Sequence, residues 1–325
     1  MKEAEYGAQL NCILWKYARR HIPLEALECA ETSGYRPPVL LQGFEDQNVL
    51  SHPTDSRVAH DVLNSIARSK RHRWFRSLKS SQALAQSVFG NLIRLQQLEV
   101  LSPLLGDDGR SIFAVGGSLP LRAGLEYEID YLREAQRGRT SVDLMIDQHF
   151  RTAVEVKFTE SDIGRCSRPE LRPTDKSFPR DYCDGNYVVQ RGRAERCSLS
   201  EQHIRYWELV PMLFTWKDDI DHQPCPLRTT YQLMRNILAA ACQPGEDGVL
   251  RIDPERARVV LVFDDRNPAF QSGGDGCKAY EALKEALLLP EILQRCTWQS
   301  IAAQISRIQQ LDWLANGLSE KYGFV

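Results

Sequence analysis

Nowhere does this chain hold 18 consecutive apolar residues, so no membrane-spanning helix is expected. The opening M-K-E-A-E-Y has no apolar signal segment, which leads to the expectation of a cytoplasmic protein. Net charge is nearly absent as well, with 41 basic residues against 43 acidic. Balanced charge gives no global attraction to nucleic acid, so any basic surface must be local. Internal repeats and low-complexity tracts are missing. Nine cysteines are present, yet none is paired as C-x2-C. With no export signal they are expected to be reduced thiols or metal ligands rather than disulfides. The 325 residues are 42% hydrophobic, enough core for one large domain or two ordinary ones.

The most informative stretch is T-S-V-D-L-M-I-D-Q-H-F-R-T-A-V-E-V-K-F-T-E, residues 140–160. Val142, Leu144 and Ile146 alternate with Asp143, Met145 and Asp147; Val154, Val156 and Phe158 alternate with Ala153, Glu155 and Lys157. Such alternation predicts two strands, and a turn at His149 makes them a hairpin. Residues two apart share a face, so Glu155 and Lys157 point the same way. A turn centred on His149 sets Asp143 opposite Glu155, with Cβ atoms roughly 5 Å apart. Two carboxylates so close repel, and Lys157 or a cation must compensate. Oxygen donors alone suit a hard ion such as Mg2+ or Mn2+. Such a site suits metal-assisted phosphodiester hydrolysis. The same pattern also fits a half-solvated strand face with an ordinary cross-strand salt bridge.

Other segments surround this hairpin. Leu10, Ile13, Leu14 and Tyr17 give residues 5–20 a helical stripe. Between Asp61 and Glu99 no acid occurs. That interval holds Arg68, Lys70, Arg71, Arg73, Arg76 and Lys79, with Trp74 and Phe75 among them. Cations interleaved with aromatics suit a phosphate backbone, though a solvated helix face with Trp74 in the core has the same composition. Ser80 or Ser81 caps a further helix with Leu84, Val88 and Leu92 on its stripe and Gln82 and Gln86 one turn apart. L-E-Y-E-I-D-Y reads as a strand over 125–131. Residues 159–228 are long, rich in Pro and Arg, and weakly periodic. Y-Q-L-M-R-N-I-L-A-A-A-C reads as a helix, A-R-V-V-L-V-F-D-D as a buried strand, and 278–289 and 298–316 as helices.

Helix, three strands, helix, strand, with D…E-x-K on the second and third strands, resembles the common core of the PD-(D/E)XK nucleases. Asp143 in S-V-D and Glu155-Val156-Lys157 in V-E-V-K carry the resemblance. Val142 stands where the family name has proline. The resemblance implies an α/β, restriction-endonuclease-like core (αβββαβ, a mixed central sheet flanked by helices) over 80–264. Residues 159–228 would then be a long insertion, 1–79 a helical and basic N-terminal region and 265–325 a C-terminal helical extension. It further implies that Asp143, Glu155 and the Val156 carbonyl hold Mg2+ or Mn2+. Lys157 would orient or deprotonate the attacking water, leaving a 5′-phosphate and a 3′-hydroxyl. A carboxylate or glutamine on the first core helix often completes such sites, and as residues 80–98 hold no acid on that helix the choice is Gln82, with Gln86 as the alternative. A glutamine on the second core helix often lies near the metal or phosphate, which singles out Gln232. Lys70, Arg71, Arg73, Trp74, Arg76, Lys79 and Arg235 are the candidates to contact DNA.

Cys166, Cys183, Cys197 and Cys225 all fall in the insertion, where four thiolates could bind Zn2+ or an iron–sulfur cluster. The plain alternative is four unconnected thiols. The sequence thus points to a restriction-like, Mg2+-dependent DNA endonuclease of bacterial defence, dimeric if it cuts both strands. A nucleic-acid-binding module with an inactive nuclease core, and an end-dependent exonuclease, are the alternatives.

Overall fold

The computed structural model describes residues 2–29, 36–134, 140–167, 171, 173–174, 183, 185, 196–217, 220, 222, 224–245, 247 and 249–324. Much of the stretch 168–195, inside the expected insertion, therefore lies outside the described residues.

A five-stranded mixed sheet organises the chain. Its strands are β1 (Arg122–Ile129), β2 (Thr140–Asp147), β3 (Arg151–Val156), β6 (Ala257–Phe263) and β7 (Leu293–Thr297), in that spatial order. β1–β2 and β2–β3 pair antiparallel; β3–β6 and β6–β7 pair parallel. β4 (Cys242–Pro244) and β5 (Leu250–Ile252) form a separate ribbon. Every residue of β3 and β6 is buried. Central strands covered on both faces need apolar side chains on both, which explains why A-R-V-V-L-V-F shows no alternation.

Helices cover each face. On one lie α1 (Glu3–His21), the run α3 (Ser81–Ala85), a π-helical turn (Gln86–Gly90) and α4 (Asn91–Arg94), then α9 (Trp298–Ile305) and α10 (Asp312–Tyr322). Leu10, Leu14, Phe89, Trp298, Leu314 and Tyr322 pack there with Leu144, Val154 and Val260. On the other lie α5 (Ser198–Glu201), α6 (Tyr206–Leu213), α7 (Leu227–Ala241) and α8 (Asp275–Ala286). Leu233, Ile237 and Leu283 pack there with Met145, Ala153 and Leu261. A short helix, α2 (Ser56–Leu63), lies against α4 and the π-helical turn. Its N-cap Asp55 accepts from the Arg57 and Val58 amides.

Two expectations change. The C-terminal part is not purely helical, because Leu293–Thr297 adds the fifth strand beside β6. The helix expected over 298–316 is two helices, broken after Ile305. α9 and α10 share one hydrophobic cluster with α1 and the sheet, while α8 packs in the cluster on the other face.

Candidate active site

The hairpin has the register read from the sequence. Leu144 pairs with Val154, Met145 with Ala153 and Asp147 with Arg151, closing on a turn at His149. Continued by one position, that register sets Asp143 beside Glu155. Only this register puts the apolar residues of both strands into the two covering layers, since a one-residue slip would invert every side chain.

Glu155 and Lys157 are both buried, at 2% and 5% exposure. Lys157 Nζ lies 2.8 Å from Glu155 Oε1 and donates to Gln232 Oε1 at 2.8 Å. Asn236 Nδ2 donates to the second Glu155 oxygen at 2.7 Å. Gln232 and Asn236 are four apart on α7, so both project from one face of the helix that lies against β3. The Val156 amide donates to Asp143 Oδ2 at 2.7 Å. Trp298 Nε1 donates to the Lys157 carbonyl at 3.2 Å and helps fix the end of the strand.

A third acid enters from β1. The β1–β2 ladder runs Leu125↔Leu144 and Tyr127↔Val142, so Glu126 falls opposite Asp143 between them. Glu126 has φ +46, a left-handed conformation rare for a side chain with a Cβ. Its carboxylate accepts from Gln82 Nε2 and from Ser141 Oγ, the latter at 2.6 Å. Glu126, Asp143 and Glu155 thus form a row across three adjacent strands. The alternation in L-E-Y-E-I-D announced the strand but not which acid would meet Asp143. The register depends on residues 130–139, most of which carry no strand pattern.

The electrostatics follow from this crowding. Burial first, then Glu155 and Glu126, hold the Asp143 carboxyl well above the usual carboxylate range, against the pull of Lys157 and the Val156 amide. Burial works against the Lys157 ammonium, but Glu155, Glu160 and Asp143 outweigh it and hold the amine above its ordinary value. One lysine therefore faces an excess of carboxylates, and this donor set fits a divalent cation. As the side chains stand, no three His, Cys, Asp or Glu among the described residues are arranged to hold a metal ion. Glu155 spends both oxygens on Lys157 and Asn236, so accepting an ion requires Lys157 to swing off Glu155.

The remaining candidates separate. Gln82 reaches Glu126 and also accepts from the His72 amide at 2.8 Å. Gln86 is fully buried and turned away: its amide donates to the Val62 and Leu63 carbonyls at 2.8 and 3.2 Å. The last carbonyls of a helix have no partner within it, and Gln86 supplies one to α2. Arg71 does the same at Leu63 and also pairs with Asp46 at 2.7 Å. Arg68 pairs with Asp46 at 3.2 Å, Arg76 with Glu28, and Lys70 with Glu128 at 2.9 Å. The acid-free interval is therefore largely neutralised by acids from outside it. Arg235 donates to the Ser141 carbonyl at 3.1 Å and supports β2.

Trp74 stays at the surface, 57% exposed, with the Arg73 guanidinium 5.2 Å from its ring centroid. It lines a groove of about 450 Å3 with His72, Lys79, Gln82, Thr159 and Glu160. This groove runs from the basic stretch to the segment just after Lys157. No helix among the described residues is long and apolar enough to cross a membrane.

Comparison with known proteins returned no curated relative and no solved structure as a match. One family description does match, over residues 40–323, and the match runs through the segments before and after the hairpin as well as the hairpin itself. It covers most of the chain and points to nuclease activity: this protein belongs to the family described as restriction endonuclease associating with ARP, a restriction-endonuclease-like family.

Proposed function

We propose that the chain is a Mg2+-dependent DNA endonuclease whose site is Asp143, Glu155 and Lys157. The observation that carries this reading is the buried contact of Lys157 with Glu155 and Gln232, beside Asp143 across a hairpin of matching register. The order of elements supports it: with α5, α6 and the β4–β5 ribbon set aside as additions, the helical run from Ser81, then β1, β2, β3, α7 and β6 is consistent with the αβββαβ order that the resemblance implies.

Asp143, Glu155 and the Val156 carbonyl would hold the ion, with Glu126 as a further acid. When bound, Mg2+ would supply charge stabilisation for the pentavalent phosphorus and lower the pKa of a bound water. The protein's own groups do the rest. Asn236 fixes the Glu155 carboxylate, and the Val156 amide fixes that of Asp143. Gln232 keeps Lys157 at the site when the lysine leaves Glu155. Lys157 orients the attacking water and offsets charge on the phosphate. Water oxygen bonds to phosphorus and gives up a proton to solvent, the P–O3′ bond breaks, and the 3′ oxygen takes a proton from solvent and leaves as a hydroxyl. DNA would approach along the groove beside Trp74, where an exposed ring can stack on a base.

Incubating the protein with circular and with linear duplex DNA, in Mg2+ and in EDTA, tests this. Nicking or linearisation of circles only in Mg2+, leaving 5′-phosphate ends, is expected. Degradation of linear DNA alone would replace the endonuclease by an end-dependent exonuclease. Salt-sensitive binding with no cleavage of any substrate would favour an inactive core used for binding.

A further inference from the structure

The four cysteines of the insertion are not absorbed by the nuclease site, and the fold gathers them. Cys183, Cys197 and Cys225 are buried at 6–7% exposure, and Cys166 is half-buried. Cys197 lies within electrostatic reach of Cys166 and Cys183, and Cys225 within reach of the other three. They come from four separate places in the sequence, 13 or more residues apart, so local geometry does not force the meeting. None of the nine cysteines is in a disulfide.

Backbone hydrogen bonds show how the gathering is built. The Gly185 amide donates to Cys183 Sγ at 3.3 Å. Burial pushes the Cys197 and Cys225 thiols up, and the Leu199 and Leu227 amides, each two residues further on, pull the other way. Gly185 has φ +87, which a glycine adopts without strain and which lets its amide turn back on the sulfur. The Cys225 turn is tied to two of the other cysteine segments. Cys225 N donates to the Gly185 carbonyl at 2.8 Å, and Cys166 N to the Leu227 carbonyl at 3.3 Å. An N–H aimed at sulfur stabilises a thiolate far more than a thiol. An amide turned onto a cysteine sulfur, as at Cys183, is the kind of contact that orients a thiolate ligand on a metal.

We propose that Cys166, Cys183, Cys197 and Cys225 form a structural zinc centre. Four thiols each release a proton to solvent as they bind one Zn2+, giving a tetrathiolate site of net charge −2. The sulfurs close on the ion by side-chain rotation, since no set of three stands ready to hold it. A single ion suits these turns better than a cluster, because a direct backbone hydrogen bond holds the Cys183 and Cys225 turns together. Cys166 and Cys197 lie near Tyr231, the residue before Gln232 on α7. The centre would therefore clamp the insertion to the first half of the helix that carries Gln232 and Asn236.

Metal analysis of the full chain, purified under reducing conditions without added metal, is the test. About one zinc per chain is expected. Cys225→Ser and Cys197→Ser should lose at least several-fold of it, and Cys12→Ser, at an exposed site on α1, should keep it. Should the cysteine variants fail to fold, cobalt substitution of the wild type gives the answer. Intense thiolate-to-cobalt charge-transfer absorbance with tetrahedral d–d bands is expected. Zinc-free protein that folds, zinc retained by Cys225→Ser, or cobalt spectra without thiolate bands would overturn the proposal. Iron with labile sulfide in place of zinc would also overturn it.

Discussion

Replacing Asp143 with asparagine should stabilise the metal-free protein while destroying its activity. The carboxamide oxygen of the new side chain can still accept from the Val156 amide, so the local hydrogen bond survives. The change removes one of the crowded negative charges. Two unit charges roughly 5 Å apart, at the effective dielectric of about 20 that suits such sites, repel by about 3 kcal/mol. Asp143 escapes part of that cost by holding a proton, so a gain of about 1–3 kcal/mol is expected at neutral pH. The sign with pH is fixed. Asp143 has a folded pKa above its unfolded one, so the native state binds more protons than the unfolded state between the two values. Wild-type stability therefore falls as pH rises from about 4 through the folded pKa, and is flat above it. The advantage of Asp143→Asn should widen over the same interval. Mg2+ reverses the comparison. A ligand at about 100 times its dissociation constant stabilises the native state by about 2.7 kcal/mol, and the variant should gain far less. Urea denaturation in EDTA and in Mg2+, at pH 5 and pH 8, reads all of this. An Asp143→Asn protein less stable than wild type in EDTA, or equally stabilised by Mg2+, would refute the reasoning.

Other residues give independent expectations. Gly164 has φ +93, and a Cβ there would meet Gln232, with Cδ at 2.7 Å and Cβ at 2.8 Å. Gly164→Ala should displace Gln232 from Lys157 and lower kcat by tenfold or more, with a smaller effect on DNA affinity; unchanged kcat would remove Gln232 from the site. Trp74→Ala should weaken DNA binding by about tenfold or more, from roughly 1–3 kcal/mol per stacked base, with single-turnover cleavage at saturation little changed. Gln86→Ala should cost about 1–3 kcal/mol of stability through the uncapped end of α2, while Gln82→Ala should lower activity with little loss of stability. Lys321 is fully buried, its ammonium donating to Asn48 Oδ1 at 2.8 Å, and burial holds the amine down to about 7 from 10.5. The unfolded chain thus binds more protons between those values, so stability should rise with pH across that window, and Lys321→Met should flatten the slope in urea titrations at pH 7 and 9.

The hairpin could be read from the sequence because period-two alternation on both strands leaves one register that buries both apolar sets. Its neighbours were legible in kind but not in place. Glu126 depends on a left-handed backbone position in mid-strand, which no propensity signals for glutamate. β7 is five residues of mixed polarity, L-Q-R-C-T, and becomes a strand only because β6 offers it a parallel edge. The basic interval 68–79 looked like an electrostatic footprint because its partners, Asp46, Glu28 and Glu128, lie elsewhere in the chain. Gln82 and Gln86 were indistinguishable by spacing. Packing of α2 over the π-helical turn decides between them.

The central claim is that the hairpin carboxylates and Lys157 cut DNA. The most direct test is cleavage of circular DNA in Mg2+ by wild type, Glu155→Ala and Lys157→Ala, each shown to be folded by its denaturation profile. The account predicts cutting by wild type and a loss of at least a thousandfold in both variants. Folded variants that cut at the wild-type rate would contradict it.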